Sequence, residues 1–318
     1  MAIAFVFPGQ GSQDVGMGKA LADAYPAARA VFDEIDEALG EKLSDILWNG
    51  PKDALTLTEN AQPALMAVSM AVMRVLEIEK GFSLKDHVTF VAGHSLGEYS
   101  ALCAAGAFSI TDAARLLRLR GQAMQKAVPV GQGAMAALLG VGVDVAVKVA
   151  VEAAQGDVCQ VANDNEPTQV VLSGHKTAID RVLDIGKAHG VRRAVLLPVS
   201  APFHCALMQP AADAMAEALS NVAVHAPVVP LVANVLASPI TDPQEIKRRL
   251  VEQVTGTVRW RECVATMAAG GITDFYEIGA GKVLAGLVKR TAGSVNATSI
   301  GTPADIDAAW ATLSASRA

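Results

Sequence analysis

A serine in a Gly-x-Ser-x-Gly segment is the residue of this chain with the clearest chemical potential. Ser95 stands between Gly93 and Gly97, after an apolar, β-prone run (88–92) and before a helix-prone run (97–105). A serine on so sharp a strand-to-helix turn holds its hydroxyl clear of the backbone, over a helix N-terminus. Glycine on each side avoids side chains that would crowd the turn. The pattern predicts Ser95 as a nucleophile, with a purely structural turn as the alternative.

A serine nucleophile needs a base, and His204 is the histidine whose position suits that role. His94 adjoins Ser95, and neighbouring side chains on a sharp turn normally point apart. His204 follows a predicted strand (192–199) and precedes a predicted helix, where the sites of α/β folds assemble. A helix N-terminus disfavours the imidazolium and keeps the ring able to accept a proton. We predict His204 as the general base, and an ordinary surface-loop histidine is the alternative.

The glycine-rich loop after the first predicted strand offers backbone donors. Residues 7–13 read Phe-Pro-Gly-Gln-Gly-Ser-Gln, so the chain on either side of Gln10 can approach a ligand closely. The Gln10 N–H is predicted to point at a developing oxyanion, together with the N–H of Leu96 directly after the nucleophile. A phosphate-binding loop is the rival interpretation. The glycine spacing fits neither nucleotide motif, because the next glycine is Gly16 and no Gly-Lys-Ser/Thr follows.

Arg120 is a charged residue on the apolar side of a predicted helix (112–126). Its neighbours three and four residues away are Leu116, Leu117, Ala123 and Met124. A buried guanidinium needs a partner, because an unpaired buried charge is strongly destabilising. Three interpretations stay open. The Arg120 side chain could extend past the edge of the apolar side to solvent, or it could pair with an internal carboxylate. In the third, its guanidinium binds a substrate carboxylate through two hydrogen bonds. In that case, Met124 lines the same substrate pocket.

The elements that must position these residues alternate between strand and helix. This order predicts an α/β fold with a hydrolase-like, mainly parallel sheet core covered on both faces. Residues 129–197 follow the order βαββαβ, which is that of an inserted ferredoxin-like subdomain. We therefore predict a large α/β catalytic domain formed by 1–128 and 198–318, and a small subdomain formed by 129–197.

Composition limits the function classes. The chain has 318 residues, a net charge of −6 and 52% hydrophobic residues, which disfavours a nucleic-acid surface and allows a large core. The N-terminus lacks a basic region and reads as a strand rather than a signal peptide, and no apolar run predicts a membrane span. The four cysteines are scattered, which indicates free thiols in a reducing cytoplasm. The histidines show no metal-ligand spacing, so no metal site is predicted.

Six segments, in order along essentially the whole chain, form a pattern: Phe7–Gln13, Gly93–Glu98, Leu119–Gly121, Gly133–Ala137, Pro202–Met208 and Tyr276–Gly279. Taken together, they resemble the malonyl-CoA:acyl carrier protein transacylases of fatty acid synthesis.

The resemblance implies a ping-pong transfer of malonyl from malonyl-CoA to an acyl carrier protein, with no cofactor. It implies Ser95 as nucleophile, His204 as base, Gln10 and Leu96 as oxyanion donors, and Arg120 as anchor of the malonyl carboxylate. Phe203 resembles the first residue of the family's malonyl-selecting Phe-His pair. A cytoplasmic, monomeric enzyme is expected. The alternatives are a serine hydrolase or thioesterase of the same fold, and a discrete acyltransferase that serves a polyketide pathway.

Two positions depart from the family pattern. Arg259 stands where glutamine is frequent, and Ala280 interrupts the usual Gly-Pro-Gly. The resemblance places the carbonyl that orients the histidine at Arg259. We therefore expect a main-chain carbonyl of residues 257–260 within about 3 Å of the His204 ring, and no carboxylate there.

Overall fold

The computed structural model describes residues 2–199 and 201–315, which form two β-sheets surrounded by helices. The predicted large-domain range extends beyond these residues at both ends, and Ser200 also lies outside them. The strands are β1 (Ile3–Phe7), β2 (Phe90–Gly93), β3 (Gly133–Leu139), β4 (Cys159–Glu166), β5 (Gln169–His175), β6 (Arg193–Leu196), β7 (Leu231–Ala233), β8 (Ser238–Ile240), β9 (Asp274–Ile278) and β10 (Asn296–Ile300).

The larger sheet has the strand order β10-β9-β1-β2-β7-β8, and all neighbouring pairs except β7–β8 are parallel. Its central strand β1 is buried at every position. Ile3, Phe5 and Phe7 pack into one hydrophobic cluster, whereas Ala4 and Val6 pack into another. Because successive side chains of a strand point to opposite faces, helices cover both faces of this sheet. The prediction of a mainly parallel, doubly covered core is confirmed.

The helices between these strands are α1 (Lys19–Ala24), α2 (Pro26–Leu39), α3 (Leu43–Asn49), α4 (Lys52–Thr56), α5 (Thr58–Arg74), α6 (Leu84–His87), α7 (Gly97–Ala104), α8 (Ile110–Lys126), α9 (Val143–Ala154), α10 (Lys176–Ile185), α11 (Gln209–Ser220), α12 (Pro243–Thr255), α13 (Trp260–Ala269), α14 (Val283–Thr291) and α15 (Pro303–Ala315). Helix α8 begins at the Ser-x-x-Asp sequence of a capping box, where the Ser109 hydroxyl accepts a hydrogen bond from the Asp112 N–H at 3.0 Å. Helix α13 and the short strand β8 were not predicted.

The second sheet is antiparallel, with the order β4-β5-β3-β6. Numbered within the module, this order is 2-3-1-4. Helix α9 connects the first two strands, and α10 connects the last two. The βαββαβ succession predicted for 129–197 is therefore present, and the sheet occupies 133–196. The domain boundaries themselves stay a prediction.

Strand β4 attaches this smaller sheet to the larger one through polar side chains. Asp164 forms an ion pair with Arg261 of α13 at 2.8 Å, and Glu166 pairs with Arg290 of α14. The Asn165 Oδ1 lies 2.9 Å from the His94 Nε2, next to the predicted nucleophile. The smaller sheet is thus fixed directly against the turn that carries Ser95.

The long apolar helix of the chain is a core element. Residues Thr58–Glu79 form α5 and a π-helical turn, and they are long and apolar enough to cross a membrane. Of the apolar window, 83% is buried inside the fold, as is usual for the core helix of a globular protein.

The turn between β2 and α7 depends on the absence of two side chains. A Cβ atom at Gly93 would lie 1.9 Å from the carbonyl carbon and oxygen of Gly97. A Cβ atom at Gly97 would lie 2.2 Å from the Phe7 carbonyl oxygen of the neighbouring strand. Both contacts are with backbone, which cannot rotate away as a side chain can. The predicted reason for both glycines is confirmed.

We expect Gly93→Ala to lower the free energy of unfolding by about 3 kcal/mol, because the added methyl group overpacks a backbone-lined turn. Gly293→Ala is the matched control. Gly293 is exposed, and the atom nearest to its added Cβ is 3.9 Å away. This substitution should change stability by less than about 0.5 kcal/mol. Urea unfolding measures both values, and equal effects of the two substitutions would contradict the steric argument.

Candidate active site

Ser95 lies on a strained turn at the carboxyl end of β2. Its φ of 54° is in the left-handed region, which residues other than glycine rarely adopt. Asn234, directly after β7, holds this turn from both sides. Its Oδ1 accepts the Ser95 N–H at 2.9 Å, and its Nδ2 donates to the Gly93 carbonyl at 2.7 Å. The neighbouring parallel strand therefore fixes the backbone on which the serine hydroxyl is presented.

His204 contacts the serine hydroxyl directly. The distance from the Ser95 Oγ to the His204 Nε2 is 2.8 Å. The Nδ1–H on the other side of the ring donates to the main-chain carbonyl of Gln253 at 2.8 Å. That bond places the ring proton on Nδ1 and leaves a lone pair on Nε2, facing the hydroxyl. The structure thus pairs the two predicted residues, which are 109 positions apart in the sequence.

The carbonyl that orients His204 belongs to Gln253, so the prediction of Arg259 is wrong. Gln253 lies in the last turn of α12, where carbonyl oxygens lack an N–H from the same helix. The Arg259 carbonyl is already engaged, because it accepts the Cys263 N–H at 2.9 Å as α13 begins. The Arg259 side chain forms an ion pair with Glu262 at 2.5 Å, away from the histidine. A neutral carbonyl orients the ring, as expected, but it comes from the preceding helix.

The environment of His204 favours its neutral form. Burial, and then the positive charge of Arg120, lower the pKa of His204 to about 3, and the hydrogen bond to the Gln253 carbonyl offsets only part of this effect. The side chain is only 4% exposed, so water cannot solvate an imidazolium there. At neutral pH the ring is an acceptor for the serine proton.

Arg120 is buried beside the same hydroxyl. It is only 1% exposed, and its Nη2 lies 3.1 Å from the Ser95 Oγ. Two amide oxygens hold its guanidinium: Gln62 Oε1 accepts from Nη1 at 2.8 Å, and Gln253 Oε1 accepts from Nη2 at 2.8 Å. Its Nε is buried without a hydrogen-bond partner in the described part of the chain. The guanidinium is therefore held by neutral groups, directly beside the serine hydroxyl.

The amides predicted as oxyanion donors border the same space. Gln10 and Leu96 both line the cavity that contains Ser95. The side chain of Gln10 is turned aside, because its Oε1 accepts the Thr58 hydroxyl at 2.7 Å. No backbone acceptor within residues 2–199 or 201–315 takes either amide N–H. Both N–H groups are therefore available to a ligand.

The cavity above Ser95 has a volume of about 320 Å³. Met124 and Phe203 line it, as the sequence analysis predicted, and Arg120 and His204 are part of its wall. Arg259 is absent from the lining residues. The structure thus brings seven of the eight predicted site residues to one cavity, which is large enough for a small acyl group.

Four polar residues of the site were missed by the sequence analysis. Gln62, Glu98, Asn234 and Gln253 are all buried, with exposed fractions between 0% and 2%. Gln253 had a detectable signal, since it shares one face of α12 with Ile246 and Leu250, as Arg120 shares a face of α8 with leucines. Asn234 had none, because it lies in a loop after a three-residue strand.

The lowered pKa of His204 predicts a pH dependence of stability. Between about pH 3 and 6.5 the unfolded chain binds a proton at this residue and the folded chain does not. Its contribution to stability is thus present above pH 6.5 and declines as the pH falls.

We expect the unfolding free energy of His204→Gln to depend less steeply on pH near pH 5, by about 1.4 kcal/mol per pH unit. Urea unfolding from pH 4.5 to 7.5 measures the slope. His225→Gln, an exposed control, should leave the slope nearer to that of the parent, and identical slopes in all three proteins would refute the pKa assignment.

Comparison with known proteins agrees with this site. A family model described as an acyl transferase domain matches residues 4–307. The malonyl CoA-acyl carrier protein transacylase of Bacillus subtilis (strain 168) is 45% identical over 312 residues, covering 98% of this chain and 97% of that protein. The solved acyl-carrier-protein-S-malonyltransferase from Bartonella henselae is 56% identical with a TM-score of 0.97, covering 99% and 100% of the two chains.

A further solved structure includes a partner. It is a type II PKS acyl-carrier protein in complex with its malonyl-transacylase, with 41% identity and a TM-score of 0.94, covering 98% of this chain and 100% of that chain. The similarity extends over nearly the whole length in each comparison. The chain belongs to the malonyl CoA-acyl carrier protein transacylase family of acyltransferases.

Proposed function

We propose that this enzyme transfers the malonyl group of malonyl-CoA to the phosphopantetheine thiol of an acyl carrier protein, through a malonyl ester of Ser95. One observation carries the proposal: the Ser95 hydroxyl contacts both a neutral histidine, at 2.8 Å, and a buried arginine, at 3.1 Å. The histidine suits any acyl transfer through serine. The arginine suits an acyl group that carries its own carboxylate.

In the first half-reaction, the Ser95 Oγ attacks the thioester carbonyl as its proton moves to the His204 Nε2. The N–H groups of Gln10 and Leu96 stabilise the tetrahedral oxyanion, a contribution typically worth about 3 kcal/mol per donor. The intermediate collapses, the proton on His204 passes to the departing sulfur, and coenzyme A leaves as the thiol. Malonyl-Ser95 remains.

The second half-reaction uses the same groups with a different nucleophile. His204 takes the proton of the carrier protein's thiol, whose sulfur attacks the ester carbonyl of malonyl-Ser95. The oxyanion forms again at Gln10 and Leu96, and His204 returns the proton to the Ser95 Oγ as the ester bond breaks. His204 must accept a proton and give it back in both half-reactions. A neutral carbonyl suits this role, because it does not stabilise the imidazolium as strongly as a carboxylate would.

Selectivity for malonyl rests, in this proposal, on Arg120 with Phe203 and Met124. The guanidinium binds the free carboxylate, and the two apolar side chains limit the space around the acyl group. A serine hydrolase or thioesterase has no general need for a buried arginine at the nucleophile. The relatives reported above are transacylases, which supports transfer over hydrolysis.

Carrier-protein binding is proposed for the basic residues near the cavity mouth. Lys282 follows Gly281, where a Cβ atom would lie 3.0 Å from Ser12 of the glycine-rich loop. Arg193 begins β6, and the segment directly after this strand, residues 197–199, lines the cavity. Both side chains are exposed. An acidic carrier protein can therefore contact positive charge on two sides of the site.

We further propose a cytoplasmic monomer of fatty acid synthesis that uses no metal or organic cofactor and acts away from membranes. The four cysteines are buried thiols, which suits a reducing compartment. The reaction itself is supported by serine, histidine, arginine and backbone donors, so its chemistry needs no further group.

Malonyl-CoA should leave a malonyl adduct on Ser95, because the nucleophile forms an ester before the carrier protein arrives. Intact-protein mass spectrometry after mixing measures the adduct, and peptide mapping locates it. Addition of holo carrier protein should remove the adduct and load the carrier thiol, more slowly as ionic strength rises. Ser95→Ala should carry no adduct. An undiminished adduct in that variant, or release of free malonate in place of loaded carrier protein, would contradict the proposal.

Arg120→Ala should lose malonyl transfer selectively. A charge-assisted, bidentate contact is worth about 1.5–3 kcal/mol, so the malonyl-to-acetyl ratio of kcat/KM should fall by about tenfold to a hundredfold. Arg120→Lys should restore little, since an ammonium cannot form the fork. Arg118→Ala is the control on the same helix, because its side chain points to Glu41 and the Glu59 carbonyl. An unchanged ratio in Arg120→Ala would rule out the anchor role.

A further inference from the structure

The hydrogen-bond partners of Arg120 leave its charge uncompensated at first sight. Gln62, Ser95 and Gln253 are all neutral, although the guanidinium is almost fully buried. An isolated charge of this kind is strongly destabilising. A counter-charge in direct contact would solve that problem, but it would also occupy the donors that a substrate carboxylate needs.

A second buried ionisable residue, Glu98, lies on the far side of Gln253 from Arg120. Glu98, in the first turn of α7, is completely buried, and its Oε2 accepts hydrogen bonds from the Gln253 Nε2 at 3.0 Å and the Asn234 N–H at 2.9 Å. The opposite end of the same Gln253 amide, Oε1, accepts from Arg120. Arginine can only donate, so the amide must present its oxygen to Arg120 and its NH₂ group to Glu98. Arg120 thus donates to Gln253, and Gln253 donates to Glu98.

We propose that Glu98 is the counter-charge of Arg120, connected to it through the side-chain amide of Gln253, so that the free enzyme tolerates a buried guanidinium with no carboxylate in direct contact with it. Glu98 is thus a positioning residue: it touches neither the substrate nor the reacting atoms. The inference rests on the proposed function for the reason why no carboxylate contacts Arg120 directly, but the charge pairing stands on the contacts alone.

One oxygen of Glu98, Oε2, is held as a carboxylate oxygen would be, while Oε1 is buried without a hydrogen-bond partner among the described residues. Both groups that contact Oε2 are N–H donors, which stabilise an anion. Burial raises the pKa of Glu98 to about 7, and the bonds from Asn234 and Gln253 and the charge of Arg120 oppose that rise. At pH 8 the ionised form predominates, so the tests below are set at that pH.

A double-mutant cycle on stability tests the pairing without any measurement of activity. Glu98→Gln removes the charge but keeps an acceptor for Gln253, and Arg120→Gln removes the cation. We expect Glu98→Gln to lower the folding equilibrium constant about tenfold more in the parent than in the Arg120→Gln background, as measured by urea unfolding at pH 8. Equal losses in the two backgrounds would overturn the proposal. If Glu98→Gln alone fails to fold, recovery of folded protein in the double variant supports the pairing, and failure of both variants overturns it.

Glu277 provides the matched control. It is also completely buried and accepts two backbone N–H bonds, from Leu284 and Ala285, but it has no contact with Gln253. Glu277→Gln should therefore reduce stability equally with and without Arg120. Dependence of the Glu277→Gln effect on Arg120, of the same size as that of Glu98→Gln, would show a general effect of charge and would refute a specific pair.

A second readout connects the pair to the substrate. Malonyl-CoA should raise the Tm of Glu98→Gln by more than that of the parent, because the malonyl carboxylate then supplies the missing counter-charge. Acetyl-CoA, which acylates without a carboxylate, should raise the Tm of both proteins equally. A larger malonyl shift supports the pair, whereas equal malonyl shifts contradict it when Arg120→Ala has lost its selectivity for malonyl. If Arg120 does not bind malonyl, the selectivity experiment fails while the stability cycle can still show coupling, so the two proposals are separable.

Discussion

The site depends on a single residue at the end of a helix. Gln253 uses its main-chain carbonyl to orient His204, and its side-chain amide contacts Arg120, the Ser95 carbonyl and Glu98. It can serve both purposes because the last turn of α12 leaves carbonyl oxygens free of helical partners. Ser95, His204 and Arg120 thus all contact Gln253, and a shift of this helix end would displace all three together.

The two sheets meet at this point, which explains why the inserted module is part of the site. His94, next to Ser95, is held by Asn165 of β4. Residues 197–199, directly after β6, line the cavity, and so do Phe203 and His204. The larger sheet supplies the turn with Ser95, and the smaller sheet supplies one wall. The substrate cavity therefore lies between the sheets, and neither sheet forms it alone.

Polar groups in this interior are placed where apolar residues would be more stable. Arg120, Glu98 and Gln253 all occupy buried positions, and removing any one leaves unsatisfied partners. Such networks define one arrangement sharply, because each donor must face one acceptor. In the proposed arrangement, Glu98 compensates the charge of Arg120 through Gln253 without contacting the guanidinium. The site can then be stable without a substrate and still accept a carboxylate.

Local patterns in the sequence determined much of this structure. The alternation of strand and helix, the two glycines around Ser95 and the capping box of α8 depend on near neighbours, so spacing alone could predict them. The same holds for Arg120, whose place on an apolar face is visible from residues three and four positions away. Helix α13 was missed although Trp260, Cys263, Val264 and Met267 share one face, because the segment before it was read only as part of the site.

Only the tertiary structure decided which backbone groups meet across long separations. Gln253 and His204 are 49 residues apart, and Asn234 and Ser95 are 139 apart. A main-chain carbonyl is identical at every residue, so no residue type marks the one that orients the histidine, and Arg259 was predicted in its place. The choice depends on where α12 ends and on which carbonyls the start of α13 already uses. Sequence determined the chemical groups of this protein, and packing decided which of them act together.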